Sequence, residues 1–244
     1  TFAQKRISLV GRSVETLEKQ IEESKDVEKF SVILDTLTEK VEASERPITF
    51  KPYPGPQTEF LASSELEVLY GGAAGGGKSM ALLADPMRYF DNKAFVGLIL
   101  RRPNDELRQL IWKSKGLYPD VFKGAVFREK QSEWQFPSGA RFWFSYLDRD
   151  EDVLRYQGQE FCWIGFDELT QWPTPFPWNY LRSRLRTDDP VLKKTLSMRG
   201  GTNPGGPGHG WVKRMFIDPA TEKTAFWATD IETGKVFVHT VTGI

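Results

Sequence analysis

The chain has 244 residues, with 33 basic side chains balanced by 33 acidic ones. That neutrality excludes a global basic field, so any DNA contact must come from a local patch. The single cysteine, Cys162, excludes an internal disulfide framework, and no apolar run reaches transmembrane length.

The length suits one generous α/β domain with a small appendage. No signal peptide opens the chain, and Thr1 in place of Met is what a processed or partial chain would show. These features point to a soluble intracellular protein.

In chain order, residues 13–43 read as helix. Val14, Leu17 and Ile21 form one apolar stripe, and Phe30, Ile33, Leu34, Leu37 and Val41 form a second at the same spacing. Arg46-Pro47 breaks this pattern, and Lys51-Pro52-Tyr53-Pro54-Gly55-Pro56 is a stiff linker. The expected division is a helical segment over 1–46 and a main domain over 47–244.

After the linker, apolar strands alternate with helical segments, which predicts a mostly parallel sheet with helices on its faces. The strands are expected at Glu67–Tyr70, Phe95–Leu100, Trp163–Phe166 and Thr195–Met198. A helix from Lys78 to Ala84 should end or bend at Pro86, and another should start near Asn104 and bury Leu107, Leu110 and Ile111. Pro137-Ser138-Gly139 is the expected turn of a hairpin between Glu133–Phe136 and Ala140–Tyr146. A last strand pair should flank Thr233-Gly234. Arg182, Arg184 and Arg186 read as part of a helix that follows the aromatic stretch from Trp172 to Tyr180, with Arg182 and Arg186 on one face. They would track DNA phosphate, bind a neighbouring subunit, or simply form a solvated helix face.

The first expected strand runs into Gly71-Gly72-Ala73-Ala74-Gly75-Gly76-Gly77-Lys78-Ser79. Gly72 to Ser79 fits the phosphate-loop pattern G-x-x-x-x-G-K-[ST] in its required context, with a strand before it and a helix start after it. Gly72, Gly75, Gly76 and Gly77 let backbone N–H groups approach phosphate oxygens. Lys78 supplies charge to the β- and γ-phosphates of a nucleoside triphosphate, and the Ser79 hydroxyl supplies a Mg²⁺ ligand.

A second element is Cys162-Trp163-Ile164-Gly165-Phe166-Asp167-Glu168, an apolar strand ending in two carboxylates. Such a strand delivers Asp167 to the carboxyl edge of the sheet as a metal ligand opposite Ser79. Glu168 is then placed to deprotonate an attacking water, which favours hydrolysis over transfer. A third element, Ser197-Met198-Arg199-Gly200-Gly201-Thr202-Asn203-Pro204-Gly205-Gly206, reads as a strand running into a glycine-rich loop that bears a hydroxyl and an amide at the next strand end. Its chemistry fits a sensor of the γ-phosphate and equally a turn capped by Asn203. His209 and His239 have no partners at ligand spacing, so no metal beyond Mg²⁺ is expected.

Taken together, these elements resemble the large terminase subunit of tailed double-stranded DNA phages, in its N-terminal packaging ATPase. The likeness spans about residues 50 to 220. It rests on Pro56-Gln57-Thr58-Glu59-Phe60-Leu61, Gly71 to Ser79, Tyr156-Gln157-Gly158, Phe166-Asp167-Glu168 and Thr202-Asn203-Pro204. The resemblance implies an α/β, three-layer P-loop NTPase of the additional-strand catalytic-glutamate type, preceded here by the short helical segment.

It further implies ATP and Mg²⁺ as cofactors and double-stranded DNA, the procapsid portal and a small terminase subunit as partners. A self-associated ring, commonly a pentamer, would work at the portal vertex in the cytoplasm of the infected bacterium. No membrane is involved. Carried over by position, Lys78 and Ser79 are the phosphate-loop pair, Asp167 the metal carboxylate, Glu168 the catalytic base, and Thr202 and Asn203 the coupling motif. Gln57 would read the adenine edge, with Tyr53 or Phe60 stacked on the base.

Two departures stand out. Some relatives carry an arginine inside the phosphate loop, where this chain has Ala73-Ala74-Gly75-Gly76. Others carry a subunit-bridging arginine at the position held here by Gln157. An arginine finger contributes roughly 10³–10⁵ in rate, so Arg155 is the first candidate for it, followed by Arg101 and Arg102. Such terminases also carry a C-terminal nuclease, but beyond Asn203 only about 40 residues follow, too few for that domain, and no cleavage activity is expected. Two other readings stay open from the residues: a helicase-like or recombination ATPase, and a nucleotide-gated assembly protein.

Overall fold

The central strands of this chain read as unbroken apolar runs because both of their faces are covered, as expected of a parallel sheet between helices. A computed structural model describes residues 50–102 and 104–219 together with the backbone of strands at 225–229 and 236–242. The expected helices over 13–43 lie outside the described residues. Residues Thr49–Ile244 form one compact unit.

Helix α1 (Pro56–Ala62) leads to β1 (Glu67–Tyr70), then to α2 (Lys78–Ala84), which continues as a 3₁₀ turn over Asp85–Tyr89. Pro86 sits in the first turn of that 3₁₀ segment, so the expected break falls where the sequence placed it. β2 (Val96–Arg101), α3 (Asn104–Lys115) and the short α4 (Tyr118–Val121) follow. Next come β3 (Val126–Arg128), β4 (Glu133–Gln135) and β5 (Arg141–Tyr146). The second half carries β6 (Trp163–Asp167), α5 (Phe176–Arg182), β7 (Ser197–Gly201), α6 (His209–Val212), β8 (Ala225–Thr229) and β9 (Val236–Thr242).

The nine described strands form one sheet in the order β3-β4-β5-β2-β6-β7-β1-β9-β8. The six from β5 to β9 in that order are mutually parallel. β4 and β8 add antiparallel strands through the two expected hairpins, and β3, which the sequence did not suggest, pairs antiparallel with β4 at the edge. β7 therefore lies between the phosphate-loop strand β1 and the acid-bearing strand β6. That insertion is the additional strand the resemblance implies, and the architecture is the expected three-layer α/β fold.

Alternation along each strand divides the core in two. Val68, Tyr70, Ile99 and Trp163 pack on one face with Leu82, Leu83, Leu107 and Leu110 from α2 and α3. Leu69, Leu98, Leu100, Ile164 and Phe166 pack on the other with Trp178, Leu181 and Trp211 from α5 and α6. Gly165 is glycine because the Trp163 ring lies where its Cβ would be, only 2.2 Å away.

Two expectations need correction. β7 starts later than Thr195 and runs through Gly200 and Gly201, which the sequence suggested as the beginning of a loop. A Cβ at Gly200 would fall 2.9 Å from Leu169 and 3.2 Å from Leu69 on one face, and one at Gly201 would fall 3.0 Å from Leu82 on the other, so the two glycines serve packing on both faces of a central strand. The arginine-bearing helix also ends at Arg182 and never reaches Arg186. Here the backbone turns to pair with the segment before β6: Phe161 N–H donates to Arg184 O at 2.9 Å, and Arg186 N–H donates to Phe161 O at 3.1 Å. Arg182 is buried against Glu67, and Arg186 pairs with Glu160 at 2.9 Å, so the three arginines share no helix face.

Candidate active site

Register brings the chemistry-bearing segments to one level. Tyr70, the last residue of β1, is opposite Gly201, the last of β7, and Gly201 is in turn opposite Asp167, the last of β6. The phosphate loop, the acid pair and the Thr202-Asn203 turn therefore all leave the sheet at the same carboxyl edge, where ligands of open α/β sheets gather.

The loop is pinned from below. Gly72, Gly75 and Gly77 hold φ values of 135°, 85° and 75°, conformations that disfavour any side chain. Tyr70 Oη donates to Gly76 O at 2.7 Å. Buried Gln57 donates from Nε2 to Gly77 O at 2.9 Å, while its Oε1 accepts from Tyr53 N–H at 2.6 Å. A Cβ at Gly77 would sit 2.5 Å from that Nε2, so the Gln57 contact and the glycine require each other.

Lys78 opens α2 and donates through Nζ to Gly72 O at 3.1 Å and Ala73 O at 2.7 Å. Burial pulls its pKa below the ordinary lysine value, and the charges of Glu168 and Asp167 work against that shift. The Ser79 hydroxyl lies 3.0 and 3.2 Å from the two carboxylate oxygens of Asp167. Burial raises the Asp167 pKa, Glu168 adds to the rise, and Arg101 and Ser79 oppose it.

Glu168 adopts φ 57° and ψ 54°, a left-handed conformation that costs a non-glycine residue roughly 1–2 kcal/mol. Asn203 Nδ2 donates to both of its carboxylate oxygens, at 3.1 and 3.2 Å. Asn203 Oδ1 is buried and has no hydrogen-bond partner among the described residues. Thr202 Oγ1 accepts from Thr170 N–H at 3.2 Å and lies 2.8 Å from Thr170 Oγ1, which ties the turn to the segment after Glu168.

Between these groups opens a cleft of about 320 Å³, lined among others by Gly75, Lys78, Ser79, Lys113, Glu168 and Asn203. Its walls fit a triphosphate: glycine backbone on one side, a lysine at the floor, and the Glu168 carboxylate facing them. Hard oxygen donors, Ser79 Oγ and the Asp167 carboxylate, are what Mg²⁺ takes when it keeps waters and phosphates as its other ligands. No cluster of three or more His, Cys, Asp or Glu side chains that would hold a metal alone occurs among the described residues.

The other named residues fall less simply. Both ends of the Gln57 amide are engaged within the chain, so reading an adenine edge would mean exchanging those bonds. Phe60 is fully buried and stacks on Tyr70 with ring centroids 5.4 Å apart, which removes it as a partner for a base. Tyr53 is exposed beside Gly77 and keeps that possibility. Arg155 lies in the 3₁₀ segment Asp150–Tyr156, half-exposed and 3.7 Å from Asp152, and is not among the residues lining the cleft. Arg102 is held by Asp150 at 3.1 Å.

Sequence reasoning missed that Arg101 pairs with Asp167 at 2.5 Å, that Glu106 takes its other edge, and that Lys113 faces the cleft. No local signal carries the Arg101–Asp167 pair, because it spans 66 residues and needs β2 beside β6.

No family model and no curated protein matches the chain. Its structural neighbours are phage DNA-packaging ATPases. The large terminase of a thermophilic bacteriophage superposes with a TM-score of 0.54 at 17% identity, covering 69% of this chain and 43% of that one. The same terminase in complex with ADP gives 0.53 at 16% identity over 78% of this chain and 44% of that one. The N-terminal domain of the bacteriophage phi29 packaging ATPase gives 0.51 at 13% identity, covering 80% of this chain and 96% of that domain. The chain thus spans less than half of the thermophilic-phage terminase and nearly all of the phi29 domain. At these identities the likeness establishes the fold. Among the described residues no helix is long and apolar enough to cross a membrane.

Proposed function

We propose that this chain binds ATP with Mg²⁺ and hydrolyses it as a motor subunit that drives double-stranded viral DNA into a procapsid. One observation carries the reading. The Ser79 hydroxyl, the Asp167 carboxylate and the Asn203-held Glu168 converge on one strand edge beside the phosphate loop.

In this reading Lys78 exchanges the loop carbonyls for β- and γ-phosphate oxygens, and the loop N–H groups cradle the phosphates. Ser79 and Asp167 would hold Mg²⁺, which would supply neutralising charge at the phosphates during phosphoryl transfer. Glu168 orients the attacking water and takes its proton. Asn203 touches both Glu168 oxygens and adjoins Thr202, so it links the base to the turn that follows β7 and serves as the coupling element. The partners are double-stranded DNA, the portal, a small terminase subunit and further copies of the chain in a ring, commonly a pentamer, at the portal vertex in the host cytoplasm.

Glu168→Gln tests the core of this reading. Binding of ATP should persist while turnover falls by about 10²–10⁴. Unchanged turnover would remove Glu168 as the base, and absence of turnover in the wild type, alone and assembled on DNA and portal, would leave a nucleotide-gated assembly protein.

Arg155 is the proposed subunit-bridging finger, supported by its exposure and by contacts within its own turn, to the Asp152 carbonyl at 3.0 Å and carboxylate at 3.7 Å. Mixing Arg155→Ala subunits into wild-type assemblies should reduce ATPase activity more than in proportion to their share. A strictly linear loss would argue for a finger elsewhere.

A further inference from the structure

Arg101 stands between two acids. Its Nη1 lies 2.5 Å from Asp167 Oδ2, and its Nε donates to Glu106 Oε2 at 2.8 Å, with Nη2 at 2.8 Å from the same oxygen. The side chain of Asp167 is 1% exposed, that of Arg101 12% and that of Glu106 37%, so the three form a ladder from the sheet edge outward. Asp167 is also the carboxylate that Ser79 touches, and so the group a divalent metal would need.

A guanidinium keeps its charge throughout the accessible pH range. Arg101 therefore cannot release Asp167 by losing a proton; it can only move. A buried cation that moves away from its partner is strongly destabilised unless another anion receives it. Glu106 already holds the other edge of the guanidinium, and it sits on the first turn of α3, where it also accepts from Gln171 Nε2 at 3.4 Å.

We propose that Arg101 is a positioning residue that serves as the resident counter-ion of Asp167, to be displaced onto Glu106 when a divalent metal arrives with nucleotide. This rests on the nucleotide-binding reading above. The exchange replaces one positive charge at Asp167 by two and leaves Arg101 paired throughout. Arg101 and Glu106 thereby set how much metal the site demands.

The test is binding of a fluorescent, slowly hydrolysed ATP analogue to the full chain, titrated with MgCl₂. Arg101→Ala removes the competitor and should lower the half-saturating Mg²⁺ concentration by about tenfold, a size ordinary for coupled sites. Glu106→Gln takes away the second acid and should raise it by about threefold or more. Arg101→Lys, which cannot bridge both acids, should fall between wild type and Arg101→Ala.

Opposite signs are the signature, because general loosening of the site would move both variants the same way. An unchanged or raised requirement in Arg101→Ala, or a lowered one in Glu106→Gln, overturns the proposal. Circular dichroism and melting confirm folding. Should Arg101→Ala fail to fold, the sign of Glu106→Gln decides alone. A wild type whose analogue binding ignores Mg²⁺ would overturn the metal site and this inference together. A Mg²⁺-responsive wild type with the wrong variant signs would overturn this inference only.

Discussion

Among the described residues two buried aspartates are paired with arginine, and the two groups are built for different ends. Asp85, at the start of the 3₁₀ turn after α2, accepts from Arg88 at 2.8 Å on one oxygen and from Trp163 Nε1 at 2.8 Å and Arg199 at 3.2 Å on the other. Arg199 in turn donates to the carbonyls of Glu65, Met198 and Ser63. Both Asp85 oxygens and all three Arg199 guanidinium nitrogens are thus held within the chain.

Asp167 is as deeply buried, but its partners are a serine hydroxyl and an arginine that a second acid also claims, and Glu168 follows it in the chain. An open cleft adjoins the group. Burial of a charge is therefore no mark of function by itself. The distinguishing features are like charge next door, a partner with somewhere else to go, and room for a ligand. In the first pair the ionic bonds fasten α2 and its 3₁₀ extension to β6 and β7; in the second they leave the carboxylate exchangeable.

The comparison breaks most visibly at Asp85. Asp85→Ala strands the Arg199 guanidinium and the Trp163 N–H in the core, where breaking a buried pair costs about 3–5 kcal/mol. Urea denaturation should show that loss. Where the variant remains folded, its Mg²⁺ requirement for binding the ATP analogue should match the wild type. A loss below about 1 kcal/mol, within the range of exposed ion pairs, would mean that this group is not the fastening described.

What the sequence made legible follows the same division. The phosphate loop, the Asp167-Glu168 pair and the Thr202-Asn203 turn are local patterns whose spacing is fixed by a strand, a turn or a helix start. They could be read before any tertiary contact was known. Strands β1, β2 and β6 were legible because double-sided burial makes them nearly continuously apolar, whereas the exposed edge strand β3 gave no such signal. Arg101 with Asp167, Asp85 with Arg199 and Glu67 with Arg182 were not, because each pair forms only once strand order and helix docking are set. Gly200-Gly201 misled because glycine signals a loop locally but here answers to packing from both faces. The stretch from Arg182 to Arg186 misled because charges at helical spacing were overridden by backbone pairing with Phe161. Phe60 misled for a related reason: an aromatic near a nucleotide loop reads as a base platform, but this one is part of the core beneath it.

The smaller effect lies at Asp167, and its sign is the sharper test. Burial holds its folded pKa above the unfolded value near 3.8. Across the interval just above 3.8 the folded chain thus keeps a proton that the unfolded chain has released. Stability falls as pH rises through that interval, and the penalty remains at neutral pH. Asp167→Asn removes the titration, while Glu106 still pairs with Arg101. In the presence of EDTA the variant should melt about 1–3 °C higher than the wild type at neutral pH, a shift matching less than about 1 kcal/mol in a domain of this size. The advantage should shrink as pH is lowered and vanish below the carboxylate range, where Asp167 is protonated in both states. The same substitution should weaken Mg²⁺-dependent binding of the ATP analogue, because a neutral amide is a poorer ligand for a hard cation. A variant that melts lower than the wild type at neutral pH would show that Asp167, like Asp85, fastens the fold.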